Sequence, residues 1–320
     1  MRGEPRPNYA ERRTNSAKGG MLGDVTMPFA PTANRWGPVA MVLGSCVSLQ
    51  FGAAIAAQLF PAMGPFGVTF VRLALAAVIL LAIARPALRA WQSGQWRAVV
   101  LLGVALAGMN GSFYASIDRI PLGSAVTIEF IGPLVLAAIL SRRLRDLGWV
   151  VLAGLGIAVL AIGEGSLGAG LDPLGMLFAL IAGGFWAAYI LAGAKVADRV
   201  PGLSGLAMSV AIAAVVVAPI GVPGAIEGMT SSRVVVLAIA TAVLASVIPY
   251  SLELRALRSL SPAAFGILLS LEPAVATLAG WLILHQHIGL THVIAMLAVI
   301  GASVGSTLTA QRSPAPVPSS

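Results

Sequence analysis

Two apolar stretches decide the fold: SAVTIEFIGPLVLAAILSRR at residues 124–143 and FGILLSLEPAVATLAGWLIL at residues 265–284. Each is long enough to cross a lipid bilayer as a helix, yet the first contains Glu129 and the second contains Glu272. A proline follows each acid within four residues. Because an unpaired carboxylate is costly to bury and a proline interrupts helical hydrogen bonding, both stretches indicate a polar site inside a membrane.

The composition places most of the chain in lipid. Of the 320 residues, 58% are hydrophobic and 10% are charged, and the mean hydropathy is +0.91. About a quarter of the residues of a soluble domain are charged. The single cysteine, Cys46, excludes an internal disulfide. Residues 1–35 and 311–320 are polar and contain many prolines, so we predict two disordered tails there.

Ten stretches of the chain are long and apolar enough to be membrane-spanning helices, for which about 20 residues are needed. The predicted spans are residues 37–57, 64–84, 98–117, 121–140, 147–164, 173–193, 202–220, 233–252, 262–284 and 288–308. The sequence therefore predicts an all-α membrane protein with ten transmembrane helices joined by short loops.

The Lys and Arg residues are distributed asymmetrically about these spans. Seventeen of the 20 lie in the tails and in the even-numbered connections, whereas Arg119 and Arg233 lie in odd-numbered connections and Arg72 lies inside the second span. Because positive charge is enriched on the cytoplasmic side of a membrane, we predict that both termini are cytoplasmic. The net charge of +8 belongs to that membrane surface, and no nucleic-acid partner is predicted.

The chain repeats itself in its two halves. The segments around EFIGP and SLEP have similar flanking sequences, which predicts one five-helix repeat at residues 36–165 and another at residues 172–310. Because five is odd, the second repeat enters the membrane from the opposite side, an arrangement typical of secondary transporters. Glu129 and Glu272 would then lie near mid-depth, and a polar cavity between the repeats would satisfy them.

Several stretches resemble the threonine/homoserine exporter family of the RhtA type, in the EamA branch of the drug/metabolite transporter superfamily. The resemblance covers about residues 36–310, and the matching stretches include LFPAMGPFGVTFVRLAL (59–75), GMNGSFYASIDRIPLGSAVTIEFIGPL (108–134), PYSLELRAL (249–257) and FGILLSLEPAVA (265–276).

The resemblance implies two inverted EamA repeats in the inner membrane and efflux of small amino acids such as threonine and homoserine, coupled to proton entry. A drug/metabolite exporter of the same fold with another solute, such as a cationic drug, is the alternative. An intramembrane enzyme or a passive channel is a third hypothesis. The sequence contains no P-loop motif and no nucleophile–base–acid set, so no cofactor and no enzymatic activity are predicted. Whether the protein is a monomer or a homodimer stays open.

Three charged residues within the spans are candidates for substrate binding. Arg72 either binds a substrate carboxylate or pairs with Glu129 or Glu272; alternatively, it extends to the membrane surface. Each acid either binds the substrate ammonium group or exchanges a proton, since a carboxyl group removed from water takes up a proton more readily. The other interpretation is a structural carboxylate held by Arg72 or by backbone donors.

Five uncharged residues are further candidates for a pocket that would bind a small zwitterion. Asn110 and Tyr114 share a face of the third span, and Trp186 and Tyr189 share a face of the sixth. Gln50 lies in the middle of the first span. Ordinary hydrogen bonding and packing between helices is the alternative for each of them.

Two residues near the cytoplasmic end of the eighth span, Tyr250 and Glu253, are candidates for an inner gate. The alternative for Glu253 is a solvated ion pair with Arg255 or Arg258. The three histidines, His285, His287 and His292, are predicted to lie in an exposed loop, and no metal site is predicted there because no acid or cysteine is near.

Overall fold

The computed structural model describes residues 36–141, 144–163, 171–257, 259–260 and 262–311. Thirteen α-helices lie within these residues. They are α1 (Trp36–Ala57), α2 (Phe60–Ala84), α3 (Ser93–Ile117), α4 (Leu122–Glu129), α5 (Ile131–Ser141), α6 (Leu144–Gly163), α7 (Pro173–Arg199), α8 (Ser204–Gly228), α9 (Ser232–Ala242), α10 (Ile248–Leu257), α11 (Pro262–Leu269), α12 (Glu272–Leu284) and α13 (Leu290–Gln311). A 3-10 turn (Leu88–Ala90) lies between α2 and α3, and a π-helical turn (Val243–Val247) joins α9 to α10.

The all-helical prediction is confirmed. Within the described residues, nine helical segments are long and apolar enough to cross a membrane, and a tenth, Asp146–Ala161 in α6, is apolar but shorter. Large apolar side chains such as Val215, Ile226 and Leu290 are more than two-thirds exposed on the outside of the bundle, as is required of a surface that contacts lipid tails. Whether α6 crosses the membrane stays a prediction, and both predicted tails, except for Gln311, lie outside the described residues.

Prolines explain why two of the spans are broken. The nitrogen of a proline cannot donate to the carbonyl group four residues earlier, so a helix tends to end there. α4 ends at Glu129, four residues before Pro133, and α11 ends at Leu269, four residues before Pro273. The fourth predicted span is therefore the pair α4 and α5, and the ninth is the pair α11 and α12. Both breaks lie beside the acids that the sequence singled out.

The helices pack in matched pairs from the two halves of the chain. α2 packs most extensively against α8, α6 packs against α13, and α4 packs against α12. In addition, α3 packs along α7, and α1 packs along α10. Each of these contacts joins a helix that precedes residue 165 to one that follows residue 172, so the core of the bundle lies between the two halves.

One ion pair stabilises the start of α7 outside the apolar core. The Asp172 carboxylate accepts a hydrogen bond from the backbone N–H of Leu174 and pairs with Arg119 at 3.1 Å. The pKa of Asp172 is held below its usual value, mainly by the hydrogen bond from the Leu174 N–H group and secondly by the hydrogen bond from Arg119. The stabilisation is therefore complete at neutral pH and is lost as the pH falls through that lowered pKa. Because both side chains are partly exposed, water screens the pair and its contribution is small.

Close contact between α5 and α7 requires glycine at the first broken span. A Cβ atom added at Gly132 would overlap the carbonyl group of Gly183, and a Cβ atom at Gly183 would in turn meet the carbonyl oxygen of Glu129. Backbone atoms on both sides leave no flexible side chain that could move away. The two glycines thus allow the backbone at Glu129 and Gly132 to pack directly against α7.

We expect Gly132→Ala to lower the stability of the purified protein by about 1–3 kcal/mol, because the added methyl group overpacks a backbone contact. The midpoint of thermal unfolding in detergent measures the effect. Gly184→Ala is the matched control, since a Cβ atom at Gly184 meets no atom within 4 Å. Equal midpoints for the two variants would contradict the proposed role of Gly132.

Candidate functional site

Arg72 lies in the interior of the bundle and is only 2% exposed. Its guanidinium group donates to the side-chain oxygen of Asn110 on α3 through Nη2, and to the carbonyl oxygen of Ala245 through Nη1 at 3.3 Å. The guanidinium carbon also lies 4.7 Å from the centre of the Tyr114 ring, within the distance of a cation–π interaction. Arg72 therefore does not extend to the membrane surface.

The π-helical turn supplies the backbone carbonyl group that accepts a hydrogen bond from Arg72. Pro249 lacks an N–H group, so a carbonyl group in the preceding turn has no donor from its own helix. Two carbonyl groups of that turn bond outside it: Ala245 accepts from Arg72, and Leu244 accepts from the Ser48 hydroxyl at 2.6 Å. The break in the eighth span thus provides two hydrogen-bond acceptors, one for Arg72 on α2 and one for Ser48 on α1.

Polar and aromatic side chains of three helices complete the surroundings of Arg72. The Asn110 amide donates to the carbonyl oxygen of Leu106 at 2.7 Å, which orients its oxygen toward the guanidinium group. The Tyr250 hydroxyl approaches the same amide. Tyr114 is fully buried and packs its ring 5.6 Å from that of Phe60. The predicted residues Arg72, Asn110, Tyr114 and Tyr250 are therefore brought together.

Arg72 has no close counterion among the residues that the structure describes. The pair between Arg119 and Asp172 is the only ion pair within 4.0 Å in those residues. Glu129 is near enough to Arg72 to interact with it electrostatically, but the two do not form a close pair. A buried cation without a paired anion is unfavourable. Binding of a carboxylate beside Arg72 would therefore lower the free energy of the site.

The two predicted acids, Glu129 and Glu272, are buried at 8% and 4% exposure, and a third acid lies beside them. The Cys46 thiol donates to Glu272 at 4.0 Å, and the Ser45 hydroxyl donates to Glu253. Glu272 is within electrostatic range of both Glu253 and Glu129. Three carboxyl groups thus share one region of the bundle, next to a single arginine.

Glu253 forms no ion pair with Arg255, whose side chain is exposed. Arg258, the other partner that was considered, lies outside the described residues. Ser45 lies nine residues after the start of α1, about 13 Å along the helix axis. Because Ser45 bonds to Glu253, this acid lies well inside the helix bundle.

The remaining predicted residues surround this acidic region less closely. Tyr189 is within electrostatic range of Glu253 and Glu272. Trp186 packs edge-to-face against Phe130, in the break between α4 and α5, at 4.9 Å between ring centres. Gln50 is buried, and its side-chain oxygen has no hydrogen-bond partner among the described residues. Trp186 therefore contacts the first break, whereas no hydrogen bond links Gln50 to Arg72 among the described residues.

The space beside Arg72 is a narrow crevice that does not admit a water molecule. The sequence predicted a polar cavity between the repeats. In this structure the side chains around Arg72 pack closely, and the gap beside the arginine is this crevice. The site is therefore in a closed form, in which Arg72 bonds to other groups of the protein.

The prediction of an exposed loop is wrong for His292. His285 and His287 are exposed, but His292 is only 3% exposed in α13. Its ring nitrogens lie 3.1 Å from the Ser124 hydroxyl of α4 and 2.7 Å from the Thr277 hydroxyl of α12. The sequence did not indicate this burial because one of the two hydroxyl partners comes from the other half of the chain.

Sequence reasoning also missed Ser45, Cys46 and the acceptors of the π-helical turn. Pro249, preceded by an apolar run, was a signal for freed carbonyl groups in the eighth span. Ser45 and Cys46 carried no comparable signal, since small polar residues are common in membrane helices that pack closely.

Comparisons with known proteins agree with this architecture. Residues 173–308 match the EamA-like transporter family. The threonine/homoserine exporter RhtA of Salmonella typhimurium (strain LT2) is 41% identical over 280 residues, which cover 87% of this chain and 94% of the exporter. The exporter of the same name from Escherichia coli (strain K12) is 41% identical over 278 residues, covering 87% and 93%. A solved crystal structure, described only as that of a protein, shares the fold with a TM-score of 0.59 at 19% identity, over 85% of this chain and 98% of its own.

We expect opposite effects from two substitutions of Asn110. Asn110→Leu removes the acceptor of a charged donor and should lower the stability by about 1.5–3 kcal/mol. Asn110→Asp places a carboxylate against a guanidinium group that is already buried, so the unfolding midpoint in detergent should rise above that of the wild type. A fall in the midpoint with Asn110→Asp would show that Arg72 does not lack a counterion.

Proposed function

The chain belongs to the threonine/homoserine exporter family of the EamA-like transporters, and from this premise we propose that it exports threonine, homoserine and related small amino acids. It is a transporter rather than an enzyme, and a multi-pass protein of the inner membrane. We propose that transport proceeds by alternating access between the two five-helix repeats. The cargo would be a zwitterion, with a carboxylate and an ammonium group to recognise.

The observation that carries the proposal is Arg72, a fully buried cation with no carboxylate within 4.0 Å among the described residues. Its planar guanidinium group suits a carboxylate, which it can bind with two parallel hydrogen bonds. One terminal nitrogen is held by Asn110 and the other by a carbonyl group at the long distance of 3.3 Å. A substrate carboxylate bound to the guanidinium group would neutralise its charge.

The acidic region supplies a place for the opposite end of the substrate. Glu272 is near enough to interact electrostatically with both Glu253 and Glu129. An ammonium group placed among them would face carboxylates, while the carboxylate of the same molecule faced Arg72. Separation of the two signs within one site is the pattern that recognition of a zwitterion requires.

A lipophilic cation is less well suited to this site. Such a solute would be attracted by the acids and the aromatic side chains, but the buried charge of Arg72 would repel it at close range. No described residue neutralises that charge within 4.0 Å. The geometry therefore favours an amino acid over a cationic drug.

The packing of the helices supports the proposed repeats at residues 36–165 and 172–310. The contacts of α2 with α8 and of α6 with α13 join helices at equivalent positions in the two halves, and the contact of α4 with α12 joins the two broken spans. The breaks before Pro133 and Pro273 are likewise equivalent. Two halves that pack in this way can rock against each other around a site held between them.

We place both termini in the cytoplasm. The support is the distribution of positive charge, since 17 of the 20 Lys and Arg residues fall on the side of the termini when ten spans are counted. The alternation requires α6 to cross the membrane as the fifth span. In this orientation export moves the substrate from the side of the tails to the opposite side.

Proton coupling is supported by the excess of acids over bases within the bundle. Three carboxyl groups lie in one buried region with one arginine beside them. A proton on one carboxyl group would relieve the repulsion among them. Exchange of that proton for the substrate ammonium group would link proton entry to amino-acid exit.

Counterflow in proteoliposomes tests the proposed cargo. We expect saturable exchange of radiolabelled threonine with unlabelled threonine and homoserine, and little exchange with lipophilic cations. Asn110→Asp should reduce exchange at least tenfold, because a built-in carboxylate competes for Arg72. Uptake equal to that of protein-free liposomes would refute the proposal, and a flux that does not saturate would indicate a channel.

A separate assay identifies the acid that carries the proton. We expect at least one of Glu129→Gln, Glu253→Gln and Glu272→Gln to retain threonine exchange but to lose transport driven by a pH gradient. Glu227→Gln is the control, since Glu227 is exposed near the end of α8. If all three variants kept the full response to the gradient, these acids would not couple transport to protons.

A further inference from the structure

The crevice beside Arg72 has features that the packing of the bundle does not require. Its apolar walls come from the start and middle of α2 and from α9, and include Met63, Val68, Val71 and Ala238. Two polar side chains, Arg72 and Thr241, also line it. No carboxylate is among the side chains that line it in the described part of the chain.

Thr241 differs from five other threonines of the described helices. A threonine inside a helix usually donates its hydroxyl proton to the carbonyl group four residues earlier. Five threonines of the described helices do so: Thr69, Thr127, Thr277, Thr307 and Thr309. Thr241 is fully buried, yet its hydroxyl has no partner among the described residues.

Arg72 contributes a second unsatisfied donor to the same crevice. Its Nε–H group is buried and has no acceptor within the part of the chain that the structure describes, although both terminal nitrogens are bonded. Leaving a buried donor unpaired costs free energy, and more so for a charged group. The hydroxyl groups of Tyr114 and Ser246 are also buried without a partner among the described residues, but only Arg72 and Thr241 line this crevice, from α2 and α9. Two unpaired donors in one crevice require an explanation.

A carboxylate explains both donors. It is an acceptor with two oxygens, and it can accept from the guanidinium Nε–H and from a hydroxyl at the same time. An ammonium group would meet a cation and apolar walls in the crevice. A neutral hydroxyl group would satisfy one donor but leave the charge of Arg72 uncompensated.

We propose that the crevice between α2 and α9, once it widens from the closed form seen here, is the subsite for the substrate carboxylate, and that Thr241 is a binding residue that donates its hydroxyl proton to it. The inference rests on the proposed function, because it assigns one end of the amino acid to a defined place. The ammonium end of the same substrate then points out of the crevice, toward the acids. Thr241 belongs to the second half of the chain and Arg72 to the first, so the carboxylate bridges the two halves.

The test is the binding of three related compounds to the purified full-length protein by calorimetry. L-Threonine has both charged groups, threoninol lacks the carboxylate, and 3-hydroxybutyrate lacks the ammonium group. Thr241→Val removes only the hydroxyl, Thr241→Ser keeps it, and Thr69→Val is a control at a buried threonine whose hydroxyl already bonds to its own helix.

We expect Thr241→Val to raise the Kd for threonine and for 3-hydroxybutyrate roughly tenfold or more, the effect of one hydrogen bond to a charged group. The Kd for threoninol should stay within about twofold, and Thr241→Ser and Thr69→Val should bind all three compounds nearly as the wild type does. Unchanged affinity of Thr241→Val for both carboxylates, or an equal loss for threoninol, would overturn the proposal.

The two proposals fail in distinguishable ways. If the wild type transports no amino acid but Thr241→Val still weakens binding of 3-hydroxybutyrate selectively, the proposed function fails and the carboxylate subsite stands. If threonine is transported and Thr241→Val binds it as the wild type does, the function stands and the subsite is wrong. A wild type that binds neither carboxylate overturns the subsite.

Discussion

A guanidinium group buried in a helical bundle within a membrane must find its acceptors in the protein, because lipid offers none. Arg72 meets this constraint with an amide oxygen, a backbone carbonyl group and an aromatic ring. None of these carries a full negative charge. The arginine is therefore held in place by neutral groups, and its positive charge is not neutralised by them.

Proline creates the backbone acceptors on which this arrangement depends. Pro133, Pro249 and Pro273 each lack the N–H group that would bond to the preceding turn. The first and third end α4 and α11, and the second coincides with the π-helical turn whose carbonyl groups face Arg72 and Ser48. The polar groups of the bundle therefore collect where helices are interrupted, which is also where freed carbonyl groups can be satisfied.

Much of the fold could be predicted because the signals were local in the sequence. A run of about 20 apolar residues predicts a span wherever the chain places it, and a proline near an acid predicts a break with a polar group beside it. The grouping of Asn110 with Tyr114 followed from helical spacing. Partners from distant segments could not be predicted in this way, such as Ser45 with Glu253, or His292 with Ser124.

Unsatisfied groups were equally invisible in the sequence. Thr241 is one of many threonines in apolar helices, and its missing bond is defined only by comparison with the hydroxyl groups that do bond to their own helix. The same holds for the Nε–H group of Arg72, whose lack of a partner in the described structure depends on where Asn110 and Ala245 are placed. The sequence predicts which side chains can form hydrogen bonds. The packing of the helices determines which of these side chains lack a partner.

The position of Arg72 also links binding to movement. A ligand shifts a conformational equilibrium only by binding one state better than the other. In this closed arrangement Arg72, from the first half of the chain, bonds to the Ala245 carbonyl group of the second half. On the proposed function, a carboxylate in the crevice neutralises the charge of Arg72 and, through Thr241, adds a second link between the two halves, which can persist only while the crevice encloses it. The substrate would thus add to the contacts that join the two halves, and the free energy of opening the bundle would depend on occupancy.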